Sequence, residues 1–343
     1  MRNNDDFSLL VSSFILPVSN LIDDESVNAI RRYRAELQAS TEQSSRLPYT
    51  LDFRAASHAE LKIARRHFIE NTLSSRKYKS MKDRYKTNMV VKPMAGVVTE
   101  VFTPDQGVSE ANRNKVLINL HGGGFTGGER SGTHLESMPI ASVGKIKVIS
   151  VDYRMAPEHK FPAASDDVLA VYKDLLNNYR PEDIGIYGSS AGAVLTAQSI
   201  ARFQQEGLPL PGAISMLAAG AYYWMEGDSG KIHCAIKGLS PEEYGYDNDL
   251  YFDGVSLDDP MAFPGRHPEI LSKFPPSLLI SSTRDFALSS VVTTHTKLSK
   301  HGVEADLHIW EGLDHVFYFD PEFPESSEVY GVVADFFEKH LSR

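Results

Sequence analysis

Apolar residues fall in two textures along this chain. Over residues 26–79 they recur at helical spacing, as Val27, Ile30, Tyr33 and Leu37 and again as Leu61, Ala64 and Phe68, on a charged background. From about Tyr85 the apolar positions gather into short unbroken runs. Residues 89–91 and 97–102 read as an opening pair of strands. Further strands are predicted over 115–120, 147–151, 184–187, 214–217, 277–282 and 305–310. Between them, helices are predicted over 166–178, 191–206, 291–301 and 330–341. Apolar strands alternating with helices imply an α/β fold, with a mostly parallel sheet covered on both faces.

One segment breaks the alternation. Residues 221–263 are rich in Tyr, Gly, Asp and Pro, with Tyr222, Tyr223, Trp224, Tyr244, Tyr246, Tyr251 and Phe252. The pattern divides the chain into an N-terminal helical part (1–84), an α/β domain (85–220 and 264–343) and an insertion (221–263) over one end of the sheet. The two non-sheet parts are expected to form a mainly helical cap.

Composition narrows the function. Of 343 residues, 42% are hydrophobic and 23% charged, as expected of a globular protein. The net charge of −10 argues against a nucleic-acid partner, because phosphate binding needs a basic face. The single cysteine, Cys234, forms no intrachain disulfide. Residues 7–18 are apolar, but Asp5 and Asp6 stand where a signal peptide carries basic residues, so an amphipathic helix is expected there. No run approaches the roughly 20 apolar residues of a membrane span. These features predict a cytoplasmic protein without stable membrane insertion.

The chemistry gathers at the ends of predicted strands. Gly188-Ser189-Ser190-Ala191-Gly192 fits G-x-S-x-G between a strand and a helix, a turn that strains its central serine and lifts the hydroxyl above the sheet. Ser190 is therefore the expected nucleophile. His121-Gly122-Gly123-Gly124-Phe125 follows the strand over 115–120. Its glycines leave backbone amides bare, so Gly123 and Gly124, with Ala191, are expected to form an oxyanion hole. The same glycines formally match the dinucleotide fingerprint G-x-G-x-x-G. That reading leaves Ser190 and its partners unexplained and meets a poor helix start at residues 128–132. His121, before the turn, reads as structural.

His315 lies in the loop after the strand over 305–310, and Asp285 follows the strand over 277–282. Asp314 competes as the orienting acid, but adjacent side chains point apart. The order Ser190, Asp285, His315 is that of an α/β-hydrolase triad. His308 reads as a packed or edge residue, and His58, His67 and His340 as solvated helix positions. No metal or cofactor is required.

The glycine loop, Asp152-Tyr153-Arg154-Met155-Ala156-Pro157-Glu158 with Phe161-Pro162-Ala163-Ala164, and the serine turn together resemble the hormone-sensitive-lipase-like family of α/β-hydrolases. The resemblance runs from about Val116 to the C-terminus. It implies the α/β-hydrolase fold, a carboxylic ester hydrolase acting on short- to medium-chain acyl esters, and a possible homodimer. The chain departs from the family at Ser189, where many members have Asp or Thr. Glu158 is expected to brace the loop behind the site. Phe125, Tyr222, Tyr223, Trp224, Val316 and Phe317 are candidate substrate contacts, with ordinary packing as the competing role for the insertion aromatics. The rival readings are an amidase or deacetylase using the same triad, and a ligand-binding protein on a hydrolase fold.

Overall fold

The computed structural model describes residues 17–44, 56–240 and 245–341. Three helices come first: α1 (Asp24–Ser44), α2 (His58–Ser74) and α3 (Arg76–Arg84). The α/β part follows in the order β1 (Thr87–Val91), β2 (Thr99–Pro104), β3 (Val116–Leu120), α4 (Gly132–Gly144), β4 (Lys147–Val151), α5 (Ala163–Leu175), β5 (Ile184–Ser189), α6 (Ala191–Gln205) and β6 (Ala213–Leu217). The 221–263 segment carries α7 (Asp228–Lys237). The chain closes with α8 (Pro268–Leu271), β7 (Ser277–Ser282), α9 (Leu288–Lys300), β8 (Ala305–Trp310) and α10 (Pro324–His340).

The eight strands form one sheet in the order β1-β2-β4-β3-β5-β6-β7-β8. β2 runs antiparallel to both its neighbours, β1 and β4, and the pairs from β4 through β3, β5, β6 and β7 to β8 are all parallel. Period-two alternation splits the core between the two faces. Val116, Ile118 and Leu120 pack with Val168 of α5 and Val194 of α6. Leu117, Val148 and Tyr187 face the other way, onto Met138 of α4 and Val333 and Phe337 of α10. The edge strands β1 and β8 are mostly exposed or half-buried, whereas β3, β5, β6 and β7 are buried throughout.

Within the described residues the predicted strands and helices all have counterparts, and the differences have physical causes. The helix expected over 330–341 begins at Pro324, a residue whose fixed φ suits a helix start. The helix expected over 166–178 begins at Ala163. Helix α4 was not expected. It begins on a glycine, contains Pro139 and buries Leu135, Glu136, Ser137, Met138, Ile140 and Ala141, so it has no polar face to give it periodicity. His340 is also corrected: it is 3% exposed, with its ring 4.5 Å from that of Phe336, because α10 lies against the sheet along its length. The helix expected over 7–18 falls almost wholly outside the described residues. Among the described residues no helix is long and apolar enough to cross a membrane.

Two arginines tie the N-terminal helices to the loops at the carboxyl ends of the strands. Arg76 bridges Glu36 of α1 and Asp320 of the loop before α10. Arg65 of α2 donates to Thr126 O and Ala156 O and forms a bidentate pair with Glu158, both contacts 2.8 Å. Glu158 thus braces the glycine loop through Arg65 rather than by direct contact. Both side chains are only 14% exposed, so breaking the pair leaves a poorly hydrated charge behind. Arg65→Ala is expected to cost about 3 kcal/mol of folding stability in a urea titration. Arg65→Lys should recover part of it, since one ammonium cannot reach all four acceptors. A loss within the error of the titration would show that α2 is held by other contacts.

Candidate functional site

The site grows from a turn that only a narrow set of residues can make. β5 runs straight into α6, and α6 passes so close to the end of β3 that a Cβ at Gly192 would sit 1.7 Å from Leu120 O. Glycine is therefore required there. The turn forces Ser190 to φ 57°, ψ −119°, a conformation that costs a non-glycine residue of order 1–3 kcal/mol and persists only where its surroundings fix it. Ser190 N donates to Leu217 O at 2.7 Å, which anchors the strained residue to β6.

The loop after β3 turns back over this point. Gly123 has φ 119°, and a Cβ there would sit 2.1 Å from Gly127 O. Gly123 O accepts the amides of Thr126 and Gly127. Among the described residues the amides of Gly123 and Gly124 donate to no backbone carbonyl outside regular structure. His121 is buried against Tyr153, with ring centroids 4.1 Å apart, and its Nδ1 lies 2.8 Å from Gly122 O. Burial pushes this imidazole down to about 4, so it stays neutral at physiological pH. It lies below the loop as a fixed support.

The remaining groups come from the ends of β7 and β8. His315 Nε2 is 2.9 Å from Ser190 Oγ, and Nδ1 on the same ring is 2.7 Å from Asp285 Oδ1. Asp285 is 2% exposed and held at both oxygens, by Ala287 N at 2.8 Å and Ser281 Oγ at 2.9 Å. Asp314 is exposed, and its contribution to the loop is its carbonyl, which accepts from Ser282 Oγ and Phe317 N. The ring of Phe286 lies 4.1 Å from that of His315 and covers it. Such a chain can carry a proton from the hydroxyl to the imidazole while the carboxylate fixes the ring and its tautomer.

The candidate substrate contacts are spread unevenly around this chain. Phe125 is fully buried, stacked on Tyr251 at 4.0 Å and packed against Phe252 and Trp224. Tyr223, Tyr251, Phe252 and Phe263 are buried with it, so these aromatics form the core of the 221–263 segment. Tyr222 is half-buried and donates to Gly265 O. Val316, next to His315, adopts φ 50°, and Phe317 is buried. A groove of about 830 Å³ opens elsewhere, between α1 and α7 beside Asp285, lined by Tyr33, Ile232, His233, Ile236 and Leu288. Ile232 and Ile236 are 57% and 52% exposed. Sequence reasoning passed over this pair, although two isoleucines four residues apart in a charged stretch are a helical apolar face. Among the described residues no cluster of three or more His, Cys, Asp or Glu is placed to hold a metal ion.

Known proteins share this fold. A family model described as the alpha/beta hydrolase fold matches residues 117–319. The crystal structure of an esterase superposes with a TM-score of 0.79 at 30% identity, covering 97% of this chain and 99% of the other. The structure of an esterase from the bacterial hormone-sensitive lipase family gives a TM-score of 0.68 at 25% identity, covering 84% and 100%. An esterase of Acinetobacter venetianus is 27% identical over 66% of this chain and 76% of its own. An acetyl-hydrolase of Streptomyces hygroscopicus is 27% identical over 71% and 82%. With a sheet of this order and these matches across its length, the chain belongs to the α/β-hydrolase fold family, in its hormone-sensitive-lipase-like branch, and is a carboxylic ester hydrolase.

Proposed function

We propose that the chain hydrolyses short- to medium-chain acyl esters through a Ser190–His315–Asp285 triad and an acyl-enzyme. The observation that carries this reading is the unbroken chain of contacts from Ser190 Oγ to His315 Nε2 and from Nδ1 to Asp285 Oδ1, at 2.9 and 2.7 Å, beside amides left free by the glycine loop. Ser190 Oγ attacks the ester carbonyl carbon as its proton passes to His315 Nε2. The resulting oxyanion is held by the amides of Gly123, Gly124 and Ala191, the last at the N-terminus of α6. The tetrahedral intermediate collapses, His315 returns the proton to the departing alkoxide, and the acyl group stays on Ser190. Water, deprotonated by His315, then releases the acid. Asp285 holds the ring of His315, and its own carboxylate is fixed by the Ala287 amide and the Ser281 hydroxyl.

In this reading α1, α2 and the 221–263 segment are the cap, and the groove between α1 and α7 takes the apolar part of the substrate. Phe125 and the buried aromatics shape the cap from inside, and Ile232, Ile236 and Leu288 meet the substrate.

Ser190→Ala is expected to abolish turnover of p-nitrophenyl acetate and butyrate with an unchanged circular dichroism spectrum. Asp285→Asn should lower kcat about 10⁴-fold, because the amide presents the wrong tautomer to His315. Full activity in the folded Ser190 variant would sink the assignment. Substrate placement is tested separately. Ile232→Asp should raise KM for p-nitrophenyl butyrate roughly tenfold over that for acetate, with kcat on acetate kept, since an apolar subsite distinguishes chain length by a few methylenes' worth of burial. Equal changes for the two esters would move the acyl chain out of this groove.

A further inference from the structure

The proposed oxyanion loop is held from below by a buried acid. Glu136, on α4, is 4% exposed. Its Oε1 accepts the Gly122 amide at 2.8 Å, and its Oε2 accepts from Asn119 Nδ2 at 3.0 Å. Asn119 continues the network to Ser150 and Ser137, whose hydroxyls are 2.6 Å apart. Gly122 has little latitude, since a Cβ there would lie 2.9 Å from Ser189 O and 3.4 Å from Ser190 Cβ. The carboxyl therefore sets the residue that precedes the Gly123 and Gly124 amides and that also touches the serine turn.

A second feature lies on the far side of the same carboxyl. Ser189 Oγ and Tyr318 OH are buried without a well-formed hydrogen bond, and Ser189 lies within reach of both Glu136 and Tyr318. With Glu136 they line a cavity of about 10 Å³, room for about one water. Buried hydroxyls are rarely left without a partner. A protonated carboxyl adds an O–H that can donate, and these hydroxyls or a water between them are acceptors in reach.

We propose that Glu136 is a positioning residue of the oxyanion hole: in its uncharged form it pins the Gly122 amide and so aims the amides of Gly123 and Gly124 at the ester oxygen. This rests on the triad reading above. Burial pushes the carboxyl up to about 8, which agrees with a protonated group bonded on all sides. The titratable groups around it are Tyr187 of β5, Tyr153 after β4, Tyr318 after His315 and Tyr330 of α10, and burial holds each phenol well above its ordinary value. None of them ionises before Glu136 does. When Glu136 loses its proton, a negative charge appears beneath the loop that must bind an oxyanion, and the charge opposes the one developing on the substrate.

The sign of the pH dependence follows. The unfolded carboxyl ionises near its ordinary value of 4.5 and the folded one near 8, so between these values the unfolded chain binds fewer protons and stability falls as pH rises. Glu136→Gln cannot ionise. Its amide oxygen keeps the bond to Gly122, and its NH₂ stands in for the acid O–H once the Asn119 amide turns over.

The experiment compares wild type, Glu136→Gln and Glu136→Ala in kcat, KM and melting temperature across pH, on p-nitrophenyl butyrate. Wild-type kcat should fall as pH passes about 8, and the Gln variant should keep its kcat there. The Gln variant should also gain melting temperature over wild type as pH rises from 4.5 to 8. The Ala variant, where folded, should lose kcat by roughly 10²-fold with little change in KM, the effect of a displaced donor loop. Coincident pH profiles for wild type and Gln, or a folded Ala variant with unchanged kcat, would overturn the proposal. If Ser190→Ala abolishes turnover in the same assay while the Glu136 profiles coincide, only this inference falls. If Ser190→Ala stays active, the triad reading falls with it.

Discussion

The close approach of α6 to the end of β3 governs this site. Only a bare Cα fits beside Leu120 O at Gly192, so the chain leaves β5 without the usual room to turn, and Ser190 absorbs the difference in an unfavourable backbone conformation. A strained residue must be over-determined by its neighbours. Here it is tied to β6 through Leu217 O, and α6 buries nearly every side chain it carries. The strain projects the Ser190 hydroxyl away from the sheet and toward the loops that end β3, β7 and β8. Parallel pairing places those three loops at one end, so groups far apart in sequence meet with little further instruction.

That geometry explains what the sequence made legible. The strands that build the site are buried on both faces and read as unbroken apolar runs, and each candidate group directly follows one of them. Ser190, Asp285 and His315 could be placed from strand ends alone, and their mutual distances agree with that placement. The elements that were missed are those whose environment erases their pattern. α4 is apolar or buried nearly all round, so the solvent that normally marks one helical face is absent. The aromatics of 221–263 left two readings open, substrate contact and ordinary packing, because clustering alone does not separate them. A small insertion with little regular structure needs a core of its own, and these rings supply it. Arg65 and Glu136 gave no local signal, since each matters through a partner 61 or more residues away, for Arg65, or through a backbone amide, for Glu136.

The two sides of the site are held by different physics. On the oxyanion side the loop is fixed by buried hydrogen bonds from Glu136, Asn119, His121 and Tyr153, and the Arg65–Glu158 pair closes it from the α2 side. Buried polar networks of this kind are costly to leave half-satisfied, so they tolerate few arrangements. Stabilising a transient charge demands this, because donors that reorganise during the reaction lose most of their effect.

The groove side is built otherwise. α7 buries only Gly230 and Cys234 and presents Ile232 and Ile236 to solvent. α1 buries Ala29 and Ile30 against the core, and the segment before it and its outer face add polar contacts such as Ser19 with Glu311 and Arg76 with Glu36, the latter pair exposed enough to contribute little. Apolar contact is non-directional, and a groove that selects by burial alone needs no fixed donors. On the proposed reading, the division places rigidity where charge develops and latitude where the substrate's hydrocarbon lies. On that reading, residues of α1 and α7 change which ester is accepted while the amides of the glycine loop, set by Glu136 from the opposite face in the role proposed for it, keep their aim.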